Sequence, residues 1–232
     1  MPISKSAEAD GRPLLITMGE PAGIGPEVAI AAFAALGGRI GKRALLLVGD
    51  ADVLRSCGDI PSEAIVLTKA HAARTPGKAD AANAAATIEA VALAVEMVLK
   101  GEACAVTTAP INKAVLMQAG FGFPGHTDFL AKLTGAPRAV MMLVGEQLRV
   151  IPLTVHIPIA QVPGAISTPS IIETTEIALA ALKRDFAIGH PRLAIAGLNP
   201  HAGEDGVLGR EETDIIAPAI AELKRLGPNK IA

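Results

Sequence analysis

The sequence predicts an α/β protein built on parallel strands. Three observations carry that reading. Short apolar runs stop at a turn residue, as in "LLITM" at 14–18, "RALLLVGD" at 43–50 and "RLAIAGL" at 192–198. Helix-spaced segments separate these runs, and strands that alternate with helices form a parallel sheet covered on both faces. Half of the 232 residues are hydrophobic, enough to bury a large core.

The elements follow in order. After a polar leader, "LLITM" reads as a buried strand that ends at Gly19. "GEPAGIGPEVAIAAFAAL" then gives a glycine-rich turn and a helix, with Pro26 at a first helical position and Glu27 at its positive end. "RALLLVGD" and "AIVLT" at 64–68 are the next strands, and the alanine-rich 79–101 is a helix stopped by Gly101. "ACAVTTAP" at 103–110 is a further strand, followed by a short helix, "INKAVLMQAG". The segment "FGFPGHT" at 121–127 is rich in glycine and proline, and the domain boundary is drawn there, giving domains 1–124 and 125–232. The second domain should hold a helix at "DFLAKLTG", strands at "AVMMLV", "LRVIPLTV" and "RLAIAGL", and helices at "PSIIETTEIALAALKRDF" and "EETDIIAPAIAELKRLG".

Composition removes several classes of function. The net charge is −2 and no basic run marks a face for phosphodiesters, so nucleic acid is excluded as a partner. With no Trp or Tyr and five Phe, stacking platforms for single strands are absent as well. Cys57 and Cys104 are isolated, which suits a reducing compartment and offers neither a disulfide framework nor a thiolate metal site. No stretch reads as a signal peptide or as a uniform bilayer span. The expectation is a soluble cytoplasmic protein with no membrane partner.

Five histidines bear on chemistry. The loop "GEPAGIGPE" exposes N–H groups at a helix start, where phosphates bind, but it matches neither the P-loop nor the three-glycine dinucleotide fingerprint. His126 and Thr127 in "GHTD" lie where open α/β sheets bind ligands, and offer two donors to a carboxylate or phosphate. Lys113 could add a point charge for the same anion, or could be an ordinary solvated helix lysine. His156 and His201 each sit where an apolar run gives way to a loop. On one edge of a parallel sheet such ends converge, and imidazoles suit zinc and similar ions; either histidine could instead cap a carbonyl. A catalytic site of that kind commonly uses three protein ligands. His71 and His190 stand in polar contexts and are assigned to the surface.

Taken together, "ITMGEPAGIGPE", "TTAPINKAVL", "FPGHTDFLA", "LTVHIPIAQVPGAI" and "GLNPHAGEDGVLGREE" closely resemble the 4-hydroxythreonine-4-phosphate dehydrogenase family of vitamin B6 biosynthesis. The blocks run in family order over nearly the whole chain, and "GHT" followed by "NPHAGE" is the most specific part. The resemblance implies a fold like isocitrate and isopropylmalate dehydrogenases, with two α/β/α domains, a cleft between them and a homodimer. It implies NAD as cofactor, with NADP as the alternative, and a divalent metal, Zn, Mg or Co, bound by His156, His201 and a third histidine. His126 and Thr127 are then substrate-binding. The reaction implied is oxidation of 4-phosphooxy-L-threonine with loss of carbon dioxide. Two departures from the pattern are Glu20, where Asp is usual, and Asp128, where Glu is common. Family members are longer, and the third metal histidine and several phosphate and NAD contacts belong to a C-terminal part that this sequence lacks. Two alternatives follow: a paralogue acting on erythronate or threonate 4-phosphate or on a dihydrodiol, and an inactive fragment.

Overall fold

The structure is a computed structural model that describes residues 11–226 and 230–231. The chain forms two compact units, one reaching to Ala139 and the other containing Val140–Ala232.

In the first unit, strand β1 (Leu14–Thr17) is flanked in parallel by β3 (Arg43–Gly49) and β5 (Ala105–Thr108). Strand β4 (Ile65–Leu67) adds in parallel to β3, and β2 (Arg39–Ile40) pairs antiparallel with the start of β3. Successive side chains of a strand point to opposite faces, and β1 divides its residues accordingly. Ile16 and Met18 pack with Ala29 and Ile30 of helix α1 (Gly25–Ala35) and with Val53 and Leu54 of α2 (Ala51–Arg55). Leu15 faces Ala90 and Ala94, one turn apart on helix α3 (Ala84–Leu99). The small alanines let this helix lie close to the sheet. Leu15, Leu45, Leu47 and Leu54 are 0–1% exposed, each burial contributing about 1.5–3 kcal/mol.

The segment Ala81–Leu99 is long and apolar enough, at a mean hydropathy of 1.6, to cross a bilayer, which differs from the reading that no stretch qualifies. Its buried residues, among them Ala86, Ala90, Val91 and Ala94, pack within this unit, as in the core helix of a water-exposed fold.

Helix α4 (Lys113–Gln118) starts at Asn112, whose side chain accepts the Val115 N–H at 3.3 Å. Helix α5 (His126–Thr134) closes at Gly135 in the left-handed conformation. Three of the five phenylalanines, Phe121, Phe123 and Phe129, meet here with ring centroids 5.0–5.2 Å apart. Their packing, and the contact of α5 with α3, group this helix with the first compact unit, although the sequence-drawn boundary at 124/125 assigns it to the second.

The second unit contains a hairpin of β6 (Leu143–Val144) and β7 (Arg149–Val150), the short helix α6 (Val162–Ala165) and the long helix α7 (Thr168–Arg184). Helix α7 opens with a reciprocal cap between Ser167 and Ser170. Strand β8 (Arg192–Leu193) pairs with β9 (Lys230–Ile231), and a π-turn over Glu212–Ile216 leads into α8 (Ala217–Leu226). Ile171, Ile216 and Ala219 form one apolar cluster, and Leu179, Leu223 and Ile231 another. The strands expected at 139–144, 148–155 and 192–198 shrink to two residues each. A strand requires a neighbour's N–H and C=O groups along its length, and the described residues give 151–155 and 194–198 no ladder. Their apolar side chains, including Ile151, Leu153 and Ile195, instead line a hollow of ≈ 780 Å³ against α7.

A Cβ added at Gly25 would stand 2.5 Å from the Met18 carbonyl oxygen, whereas one added at Gly122 meets nothing within 4 Å. Gly25→Ala should therefore destabilise the protein by about 1–3 kcal/mol, and Gly122→Ala by less than about 0.5 kcal/mol, as read from urea midpoints.

Candidate active site

The loops at the carboxyl ends of β1 and β5 build the site. From β1 the chain steps to β3 and then β4 on one side, and only then returns to pair β5 on the other side of β1. Loops leaving β1 and β5 thus diverge, and such a switch point is where open α/β sheets bind ligands. A hollow of ≈ 430 Å³ opens there, lined by Glu20, Gly23 and Ile24 from one loop and by residues 110–114 from the other.

Its walls are held at close range. The Glu20 N–H donates to the Pro110 carbonyl at 2.9 Å. A Cβ on Gly19 would lie 2.4 Å from that same oxygen, and Gly19 has φ +72°, a conformation that costs other residues strain. The Glu20 side chain is 4% exposed. Its Oε1 accepts the Ala22 N–H at 3.2 Å, and its Oε2 is buried with no partner. Burial pushes the carboxyl pKa up, the Ala22 N–H opposes the rise, and the like charge of Asp80 adds to it.

Lys113 lines the hollow and crosses Gly125: a Cβ there would meet its Cε at 3.3 Å and its Nζ at 3.4 Å. The next residue is His126, the first of α5. Its Nε2 is buried without a partner, and its pKa is lowered, first by burial and then by the Lys113 charge. Thr127 is exposed beside it. The first unit therefore gathers His126, Thr127 and Lys113 at one edge, and adds Glu20, which the sequence reading noted only as a departure from a pattern. A legible signal existed: an acid directly after a strand-ending glycine, at the sheet edge where ligands bind.

A second acid follows β3. Asp50 accepts the N–H groups of Asp52, Val53 and Ala72, and its Oδ2 lies 3.2 Å from His71 Nδ1. These bonds outweigh burial and lower the Asp50 pKa. His71 is 90% exposed, in line with its surface assignment, but it has a partner.

His156 and His201 both belong to the second unit. His156 is not at the end of a paired strand: β7 stops at Val150, and His156 sits in a bend at φ 58°. β7 pairs with β6 and β8 with β9, so no common sheet edge joins the two histidines among the described residues. His201 lies in a constrained loop. Glu212 Oε1 accepts the N–H groups of Leu198 at 2.9 Å and Asn199 at 2.7 Å, and its pKa is lowered, first by the Asn199 bond and against the effect of burial. Asn199 accepts the His201 N–H and donates to the Leu208 carbonyl, each at 2.9 Å. His201 Nδ1 is 3.2 Å from Glu204 Oε1, which leaves Nε2 for another ligand. Ala202, Glu204 and Asp205 all have positive φ, strain that collects at functional loops. No three His, Cys, Asp or Glu side chains assemble into a metal-holding group among the described residues.

A parallel sheet with a hollow and a buried, unpartnered carboxylate oxygen at its switch point defines an α/β protein with a candidate ligand site on the sheet edge. Comparison with known proteins gives the family. Residues 41–231 match the family described as pyridoxal phosphate biosynthetic protein PdxA, and the chain belongs to it. The 4-hydroxythreonine-4-phosphate dehydrogenase of Roseobacter denitrificans is 46% identical over 233 residues, covering 94% of this chain and 71% of the relative. That of Erythrobacter litoralis is 44% identical, covering 91% and 69%. The crystal structure of the Klebsiella pneumoniae 4-hydroxythreonine-4-phosphate dehydrogenase superposes with TM-score 0.81 at 33% identity, covering 95% of this chain and 74% of that one. A terephthalate 1,2-cis-dihydrodiol dehydrogenase from Burkholderia xenovorans superposes less closely, with TM-score 0.65 at 29% identity. The chain is thus of the oxidoreductase class, with an α/β fold.

His126 binds its proton less readily when folded than its ordinary value of 6.5 allows. As pH falls from 6.5 the unfolded chain takes up that proton first, so stability should fall with pH until the lowered folded value is passed. In His126→Gln the urea midpoint should lose less between those limits than in the wild type; parallel curves would contradict the burial of this ring.

Proposed function

We propose that this protein carries out the NAD-dependent oxidation of 4-phosphooxy-L-threonine, with decarboxylation, to 3-amino-2-oxopropyl phosphate in pyridoxal phosphate biosynthesis. NADP is the alternative cofactor, and the enzyme is a cytoplasmic homodimer. The observation that carries the reading is the approach of Lys113, which lines the switch-point hollow, to His126 of the "GHT" block that marks the family.

In this reading the chain's residues bind and orient. Lys113 supplies a positive charge for the substrate phosphate or carboxylate, and burial first and this charge second lower the His126 pKa, which favours the neutral ring. The free Nε2 of His126 then meets a substrate hydroxyl or anionic oxygen through its neutral tautomers. Thr127 adds a hydroxyl at the exposed side. Holding the secondary alcohol in one orientation accounts for much of the rate such a site can provide. The carbon–hydrogen bond of that alcohol breaks with its electron pair, the hydroxyl proton passes to solvent, and the resulting β-keto acid loses carbon dioxide and takes up a proton at the carbon that carried it. A nicotinamide dinucleotide supplies the hydride acceptor. The orphaned Glu20 Oε2 and the close-packed glycines around the hollow fit a planar polar ring.

The divalent metal implied by the resemblance is not matched by the described residues. His156 and His201 are its proposed ligands in this chain, and two imidazoles fall short of the three that a catalytic site commonly uses.

Following NADH formation with the purified chain tests the proposal. Turnover of 4-phosphooxy-L-threonine is expected, with kcat/KM reduced about 100-fold or more in His126→Ala. Turnover confined to erythronate or threonate 4-phosphate, or to a dihydrodiol, would replace this substrate assignment, and the lower structural likeness of the dihydrodiol enzyme favours the first outcome.

A further inference from the structure

Glu20 takes no part in holding the substrate. The residue is 4% exposed, one carboxyl oxygen accepts the Ala22 N–H, and the other is buried with nothing to accept from. A buried acceptor without a donor is costly, and its retention at the lip of a hollow points to a donor brought by a ligand. We propose that Glu20 Oε2 accepts the amide N–H of the nicotinamide carboxamide, so that the hollow between the β1 and β5 loops holds the redox end of the cofactor. The inference rests on the dehydrogenase reading above.

The hollow has the complementary groups. A carboxamide carries an N–H₂ donor and a carbonyl acceptor on one carbon. Glu20 provides the acceptor, and Lys113, a three-proton donor, lines the opposite wall. Ile24, 62% exposed at the same rim, gives an apolar surface for the ring face. The volume of ≈ 430 Å³ lies near the small end of the roughly 300–1,000 Å³ of ligand pockets, so it suits one ring and its substituent and not a whole dinucleotide. The close approach of the two loops, with no room for Cβ atoms at Gly19 and Gly25, fixes the wall from which Glu20 projects.

Position selects the nicotinamide end over the adenine end. Hydride transfer requires the nicotinamide ring to touch the substrate, and Lys113 spans from this hollow to the backbone beside His126. A group seated against Glu20 is therefore a neighbour of the proposed substrate site, as the reacting ring must be and the adenine must not.

Titration of the whole chain with NADH, with 3-acetylpyridine adenine dinucleotide and with ADP-ribose tests this, using intrinsic NADH fluorescence and calorimetry. The acetyl analogue keeps the carbonyl and loses the N–H₂. Wild-type protein should bind the nicotinamide form about tenfold or more tightly than the acetyl form. Glu20→Ala should bring the two affinities within about twofold and leave ADP-ribose binding unchanged. Glu20→Gln keeps the side chain's shape and turns an N–H₂ toward the ligand, so it should also lose the preference; its melting curve separates that loss from misfolding. Equal wild-type affinities for the two dinucleotides, or a preference that survives in both variants, would overturn the assignment while leaving the dehydrogenase reading intact. A fall in ADP-ribose affinity would move Glu20 to a ribose or the adenine and overturn it equally. Failure of the wild-type chain to bind any dinucleotide would overturn the cofactor reading and this inference together.

Discussion

The close contact between the loops that follow β1 and β5 is the constraint on which the site depends. One hydrogen bond, from the Glu20 N–H to the Pro110 carbonyl, ties them at 2.9 Å. Glycine at 19 and 25 permits the approach, because backbone oxygens occupy the space that a Cβ would need. Two adjoining strands of a parallel sheet would ordinarily send their connections to the same side, and the loops would then cover each other. Here the connections diverge, and the small gap between tied loops becomes a hollow whose wall includes a buried acid.

Burial then sets the electrostatics. Glu20 and His126 are both pushed toward their neutral forms, for the same reason, that the charged form loses solvation. Lys113 adds to the effect on the histidine and remains the cation of the group. These residues thus offer one positive point charge together with two hydrogen-bonding atoms, Glu20 Oε2 and His126 Nε2, that have no internal partner. That combination suits ligands which carry an anion and neutral polar groups together, a description that fits phosphorylated hydroxy acids and the carboxamide of a nicotinamide alike.

The second unit presents a different balance. Glu212 and Asn199 use their side chains to hold the backbone that carries His201, and several non-glycine residues there have positive φ. Such strain is tolerated where a loop must present a side chain in one orientation. His156 shares the left-handed conformation. The two histidines have the local features of functional residues, without a third donor assembled beside them among the described residues.

The sequence alone determined the α/β class and most elements of the first unit, β2 and α2 excepted, because strand and helix periodicities are local and Gly19 and Gly101 mark element ends through their own backbone chemistry. It also singled out His126, Thr127, His156 and His201, since rare ring nitrogens beside turn residues are visible without coordinates. Tertiary structure alone decided that α5 packs with the first unit through three phenylalanines, that the apolar runs at 151–155 and 194–198 have no ladder among the described residues, and that Glu20 is an acid with a free buried oxygen. Each of these depends on what a residue meets across many positions of the chain. Pairing, burial and the absence of a partner are properties of neighbours, and local sequence pattern does not specify those neighbours.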